Sequence, residues 1–277
     1  MKEETFEGAG GVRLFARVWD ALEAPPRAAV VIVHGFKSHS GLYDWPASEF
    51  IRRGLSVYAM DMRGHGKSEG ERFFVDKFTD YVDDLGKFIS LVKTREPGLP
   101  LFLLGHSAGG VVGCLYALEK QSELSGFICE SFAHEVPAPN LALTLLKGLS
   151  RIAPHAHVLN LKDEDFSRDP KFVARMKNDP LIVHSPGASK TIAEMVRADE
   201  RLREAFPGIT LPLLILHGTA DRATLMSGSQ RFFEQVGSTD KTLKLYPGHF
   251  HDLLNDLHHE RVMADVVEWI TTRVPRR

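Results

Sequence analysis

The sequence predicts an α/β fold, a mostly parallel sheet with helices on both faces, interrupted in its second half by an inserted helical cap. Three observations predict it. Short apolar runs alternate with amphipathic segments through the first half of the chain and again near its end. Residues 134–206 break that rhythm. A Gly-x-Ser-x-Gly pentapeptide, Gly105-His106-Ser107-Ala108-Gly109, stands where an apolar run gives way to a small-residue helix.

The elements follow in order. Residues 5–7, the glycine-rich 8–11 and residues 12–19 read as an opening hairpin. Pro25 and Pro26 separate it from 28–33, an unbroken Ala/Val/Ile run of the kind found in a strand covered on both faces. Residues 45–53 read as a short helix ended by Gly54, followed by a strand at 55–60. A helix is expected over 76–95, with Phe78, Val82, Leu85, Phe88, Ile89 and Val92 at helical spacing. A buried strand at 101–104, a helix at 108–118 and a strand at 126–129 complete this half. Beyond it no buried strand is legible. A Leu-rich segment (141–149) and an acidic stretch (163–169) are followed by helical patterns, with Pro154, Pro170, Pro180 and Pro186 as punctuation. The alternation resumes with strands at 211–216 and 242–246 and helices at 227–236 and 260–273. The expected organisation is an eight-stranded core of residues 1–133 and 207–277 around a cap of 134–206.

With 277 residues, 43% apolar and 25% charged, the chain is long enough to bury a substantial core and ordinary in composition. A formal net charge of −2, with no basic cluster beyond the short tail at 273–277, supplies no electrostatic reason for a nucleic-acid partner. Cys114 falls in a predicted helix and Cys129 in a predicted strand, which suits two reduced core thiols better than a disulfide. The N-terminus lacks a signal-type apolar stretch, and no run approaches the ~20 apolar residues that span a bilayer. The expectation is a soluble cytoplasmic protein.

The pentapeptide carries the chemistry. At a strand-to-helix junction it forms a nucleophile elbow, whose tight turn pushes the serine hydroxyl into a cleft. Its glycines are required because neighbouring chain passes close to the turn. Serine at its ordinary pKa is a weak nucleophile, so Ser107 needs a histidine base and a carboxylate to orient that base, in the chain order Ser, acid, His. Asp221, after the apolar run 213–216 and a glycine turn, is the expected acid. Glu130, closing the strand after the elbow, is the rival, and its other reading is a hydrogen-bonding residue at the cap hinge. Two histidines, His249 and His251, follow the last strand. Being two apart, they point in opposite directions if the loop is extended, and spacing alone leaves the choice open. The developing oxyanion needs backbone donors. Ala108 N–H at the start of the helix is one, and Phe36 N–H in Val33-His34-Gly35-Phe36 is the other. No Cys, His or carboxylate set has metal-ligand spacing, so neither metal nor cofactor is expected.

Further motifs extend the pattern over nearly the whole chain. They are His39-Ser40-Gly41-Leu42-Tyr43, the stretch 61–70 (Asp61-Met62-Arg63-Gly64-His65-Gly66-Lys67-Ser68-Glu69-Gly70), Ser167-Arg168-Asp169-Pro170, Asn178-Asp179-Pro180-Leu181 and Tyr246-x-Gly248-x-x-His251. With them the chain resembles the monoacylglycerol lipase and lysophospholipase branch of the α/β-hydrolases, a group that also holds serine aminopeptidase-like members. The resemblance implies an α/β-hydrolase fold and places the base three residues after Gly248, at His251. It implies a serine ester hydrolase acting on monoacylglycerols or related acyl esters, with lysophospholipase or general carboxylesterase activity as the alternative. A ligand-sensing protein with slow turnover is a further one. It also implies a cap that roofs an apolar acyl channel, with His106, Leu141, Leu145, Leu181 and Ile182 as candidate lining residues, and whose outer face contacts a membrane surface. Two departures stand out: Ala108 replaces the Met common after the serine, and Met226 occupies a position where proline is common. The stretch 61–70 reads as structural.

Overall fold

The computed structural model describes residues 1–22, 25–134 and 139–274, apart from the side chains of Asn140 and Leu141. Its strands are β1 (Lys2–Glu7), β2 (Arg13–Trp19), β3 (Ala28–Val33), β4 (Leu55–Met60), β5 (Leu101–His106), β6 (Gly126–Glu130), β7 (His157–Leu159), β8 (Gly187–Ala188), β9 (Leu213–Gly218) and β10 (Lys241–Tyr246). Its helices are α1 (Asp44–Ile51), α2 (Thr79–Arg95), α3 (Ala108–Lys120), α4 (Asn140–Ile152), α5 (Pro170–Asn178), α6 (Ser189–Ala205), α7 (Met226–Gln235) and α8 (His259–Thr271). Eight strands form one sheet in the order β1-β2-β4-β3-β5-β6-β9-β10. Only β2 runs antiparallel to its neighbours, β1 and β4; the rest pair in parallel. This is the α/β-hydrolase arrangement the sequence predicts.

Side-chain alternation divides the core between the two faces. Ala29, Val31 and Val33 of β3 pack with Phe88 and Ile89 of α2 and Val111 and Leu115 of α3. Ala28, Val30 and Ile32 pack with Phe50 of α1 and Val266 and Ile270 of α8. A strand buried on both faces must be apolar at every position, which is why 28–33 carries no alternation. Each Val or Ile side chain of this strand contributes roughly 1.5–3 kcal/mol through burial.

Helix α2 begins at Thr79 rather than at 76, and β9 at Leu213 rather than at 211. Pro212 has no N–H to give to the ladder, so pairing starts after it.

The segment between β6 and β9 is mostly helical, as expected, but it also holds a two-stranded antiparallel ribbon, β7 with β8. Strands of three and two residues are too short to show a period in sequence. Asp169 caps α5 by accepting from Lys171 N–H at 2.9 Å. The motifs in this segment fasten it to the sheet. Arg168 N–H and Nε donate to the two carboxylate oxygens of Asp256 at 2.7 and 2.8 Å. Lys37 Nζ donates to Leu161 O at 2.8 Å and to Asp163 at 2.5 Å. His39 Nδ1 accepts from Gly41 N–H at 3.1 Å, so its proton sits on Nε2, which donates to Asp179 at 3.0 Å.

Chain order positions the site. From β3 the chain moves to β4 on one side, then crosses to β5 on the other. In open α/β sheets the crevice for ligands lies outside the carboxyl ends of the strands at such a reversal. The loops after β3 and β5, with Phe36 and Ser107, meet there.

Candidate active site

Ser107 is held in the conformation an elbow requires, φ 55° and ψ −118°. A non-glycine residue there costs of order 1–3 kcal/mol, which the surroundings must outweigh. They do so by close packing. A Cβ on Gly109 would stand 2.2 Å from Val33 O, and one on Gly105 would stand 2.5 Å from Gly109 O. Ser107 N–H donates to Glu130 O at 2.9 Å, locking the turn to β6.

The loop after β3 passes over the serine. A Cβ on Gly35 would lie 2.7 Å from Ser107 Cβ. The Phe36 ring turns inward onto Phe73 at 4.7 Å and His65 at 5.8 Å between centroids. His34 braces the loop: its Nε2 accepts from Met62 N–H at 3.0 Å and its Nδ1 donates to Gly35 O at 2.7 Å. Burial lowers the His34 pKa to about 4, so it stays neutral. Ala108 opens α3, and its N–H is one of the helix-start donors without an intrahelical acceptor. The stretch 61–70 supports this region from below, with Asp61 accepting from Ser40 N–H at 2.6 Å, Ser40 Oγ at 2.5 Å and Lys67 N–H at 2.8 Å.

Asp221 lies in the turn after β9. Its Oδ1 accepts from Ala223 and Thr224 N–H at 2.8 and 3.0 Å, and its Oδ2 accepts from Thr224 Oγ1 at 3.0 Å. His251 Nδ1 stands 2.8 Å from that same Oδ2. A carboxylate only accepts, so Nδ1 carries the proton and Nε2 is left with its lone pair. Burial by itself raises the Asp221 carboxyl, but His251 and His217 outweigh it and hold the group well below the usual carboxylate range. His251 is buried, edge-on to Phe166 at 5.2 Å and 4.8 Å from the His106 ring between centroids. His106, the residue before the serine, therefore bridges the elbow and the histidine.

His249 faces elsewhere, as the two-residue spacing requires. Its ring packs edge-on against Tyr246 at 5.6 Å between centroids, and burial lowers its pKa. Glu130 is not paired with a histidine base; its Oε1 accepts from Leu254 N–H at 3.1 Å. Sequence reasoning missed three contributors around the pair. His217 is fully buried with Nε2 3.1 Å from Asp221 Oδ2, its Nδ1 2.7 Å from Ser229 Oγ. Thr224 braces the carboxylate, and Ser131 Oγ donates to His251 O at 2.5 Å. His217 at the strand end, four residues before Asp221, was the one available signal; nothing in sequence marks Ser131.

The candidate lining residues scatter. His106 is buried and Leu181 half-buried. Ile182 is packed among Phe166, Phe172 and Met176. The Leu141 side chain lies outside the described residues. Leu145 corrects the expectation of a channel residue: it is 65% exposed, on the outer face of α4. A helix apolar on more than one side buries only one of them, here through Leu146. Cys114 and Cys129 are free, buried thiols. Among the described residues, one grouping offers metal-ligand atom types, His106, Glu130 and Asp252, with those atoms within 4.8 Å of one another. Glu130 Oε1 and Asp252 Oδ1 already hold Leu254 N–H and Asn255 Nδ2, respectively.

Residues 24–258 match the family model described as "Serine aminopeptidase, S33". The chain belongs to this family of α/β-hydrolases. Within the family it is similar to the monoacylglycerol lipase of Mycolicibacterium smegmatis, 34% identical over 275 residues and 98% of both chains. It is also 34% identical to the monoglyceride lipase of Rattus norvegicus over 271 residues, covering 96% of this chain and 89% of that one. The crystal structure of the Paleococcus ferrophilus monoacylglycerol lipase superposes with a TM-score of 0.84 at 32% identity, covering 94% of this chain and 99% of that one.

Proposed function

We propose that this protein is a serine ester hydrolase acting on monoacylglycerols or related medium- to long-chain acyl esters through an acyl-enzyme. Ser107 Oγ attacks the ester carbonyl while His251 Nε2 takes its proton and then gives it to the leaving alcohol. Asp221 holds the Nδ1–H tautomer and stabilises the imidazolium. The Phe36 and Ala108 N–H groups receive the oxyanion, each donor being worth roughly 10²–10³ in rate. Water then deacylates Ser107 with the same histidine as base. The observation that carries this reading is the 2.8 Å bond between His251 Nδ1 and the Asp221 carboxylate, with the His251 ring 4.8 Å from the ring of His106, the residue before a serine at elbow φ/ψ. The substrate class is supported by the full-length similarity to monoacylglycerol and monoglyceride lipases.

Initial rates on 1-monoacylglycerols, lysophosphatidylcholine, short p-nitrophenyl esters and aminoacyl anilides test the proposal. Monoacylglycerols are expected to give the highest kcat/KM. Hydrolysis of anilides without esters would overturn the reaction class, and preference for lysophospholipid the head group.

We assign residues 134–206 as the cap over the site, with Leu145, Leu149 and Ile152 as a contact face for lipid. These are 65, 40 and 87% exposed. Among the described residues no helix is long and apolar enough to cross a membrane. Contact is therefore proposed as peripheral, through burial of this face at the lipid interface. Leu145→Asp with Ile152→Asp is expected to lower co-sedimentation with phosphatidylcholine vesicles severalfold and leave turnover of a soluble short ester within twofold. Unchanged co-sedimentation would remove the assignment.

A further inference from the structure

Glu130 is a buried carboxyl that the proposed reaction does not use, and it stands where the three site loops converge. Strand β6 lies between β5 and β9, whose ends lead to Ser107 and Asp221. The backbone oxygen of Glu130 accepts from Ser107 N–H at 2.9 Å, and its Oε1 accepts from Leu254 N–H at 3.1 Å, three residues beyond His251. The next residue, Ser131, has φ 47° and donates from Oγ to His251 O at 2.5 Å. Its own oxygen lies 3.4 Å from Thr224 Oγ1, the hydroxyl that donates to Asp221. One dipeptide thus touches the nucleophile's turn, the base's loop and the acid's loop.

The carboxyl also borders a buried polar cluster. Glu130 Oε2 has no protein hydrogen-bond partner, nor has either ring nitrogen of His106, and all three are buried. His106, Glu130 and Asp252 each bring a polar atom within 4.8 Å of the others'. Buried polar atoms without partners are costly, and two carboxylates this close in the interior do not both ionise. A proton retained on Glu130 removes that repulsion while Oε1 goes on accepting from Leu254 N–H. Burial, then Asp252, raises the Glu130 pKa well above the usual range, consistent with that form.

We infer that Glu130 is a positioning residue: its buried carboxyl holds the 251–254 turn in register with the strand behind Ser107, and so sets where His251 stands. The inference rests on the triad reading above. Misplacement of a reacting group by about 1 Å can cost on the order of 10² in rate without affecting substrate binding.

The test compares Glu130→Leu, Glu130→Gln and Ser107→Ala in the full chain. The measurements are kcat and KM on a soluble p-nitrophenyl ester, the rate of labelling by a fluorophosphonate, and thermal unfolding. Leucine fills the space without hydrogen bonding. It is expected to lower kcat and labelling rate by about 10–100-fold with KM within threefold. Glutamine keeps an uncharged acceptor and donor and is expected to restore kcat to within threefold of the parent. A Leu variant within threefold of the parent overturns the inference. So does a Gln variant that is folded but slowed tenfold or more, and that variant decides alone if Leu does not fold. Ser107→Ala separates the two readings: if it still hydrolyses ester the triad fails, whereas if it is inert and Glu130→Leu is unimpaired only the positioning role fails.

Discussion

Ser107→Ala is expected to eliminate ester hydrolysis and fluorophosphonate labelling, with a loss on the order of 10⁶ in kcat, while the circular dichroism spectrum stays that of the parent. The size follows from covalent catalysis: without the hydroxyl there is no acyl-enzyme, and only positioning and the oxyanion donors act on water's direct attack. The fold should survive because the contacts that hold the elbow are made by backbone. Ser107 N–H bonds to Glu130 O, and Gly105 and Gly109 supply the close approaches. Alanine keeps the Cβ and the amide and meets the same left-handed strain. Activity above about 1% of the parent, in a preparation free of contaminating esterase, would refute Ser107 as the nucleophile; the mechanism allows far less.

Replacing His251 by alanine is expected to lower kcat by a factor of 10⁴ or more, and replacing His249 by alanine less than about tenfold. The two residues share type and loop and differ in partner. His251 Nδ1 is 2.8 Å from Asp221, whereas the His249 ring lies against Tyr246. His249→Ala removes a buried ring and should register chiefly as a lower melting temperature. The reverse ranking of kcat losses would move the base to His249 and leave the Asp221–His251 bond without a role in catalysis.

Sheet, helices and elbow were legible because their signals are local. The unbroken run in β3 follows from burial on two faces, and the spacing of Val82, Leu85, Phe88, Ile89 and Val92 follows from helix geometry. Each can be read within a short window. The ribbon β7–β8 was not legible, since its pairing joins residues about thirty apart with two or three on each side. The exposed side of α4 escaped for another reason. An apolar residue in sequence does not say which of two apolar faces meets the core, so Leu145 was expected inside and stands outside.

The same division runs through the site. Sequence by itself determined the order of the parts: a serine at a strand-to-helix turn, an acid after a late strand, histidines after the last strand, and a His-Gly loop early in the chain. These are consequences of chain order and strand polarity, which a parallel sheet converts into loops at one edge. Tertiary structure decided which parts meet. It put His251 on Asp221, directed His249 away, and left Glu130 off the histidine base. It also brought His217 and Ser131 to the pair. The physical reason is range. A hydrogen bond is satisfied or lost within about half an ångström, and that precision arises only when β6, β9 and the loop after β10, distant in sequence, are packed side by side.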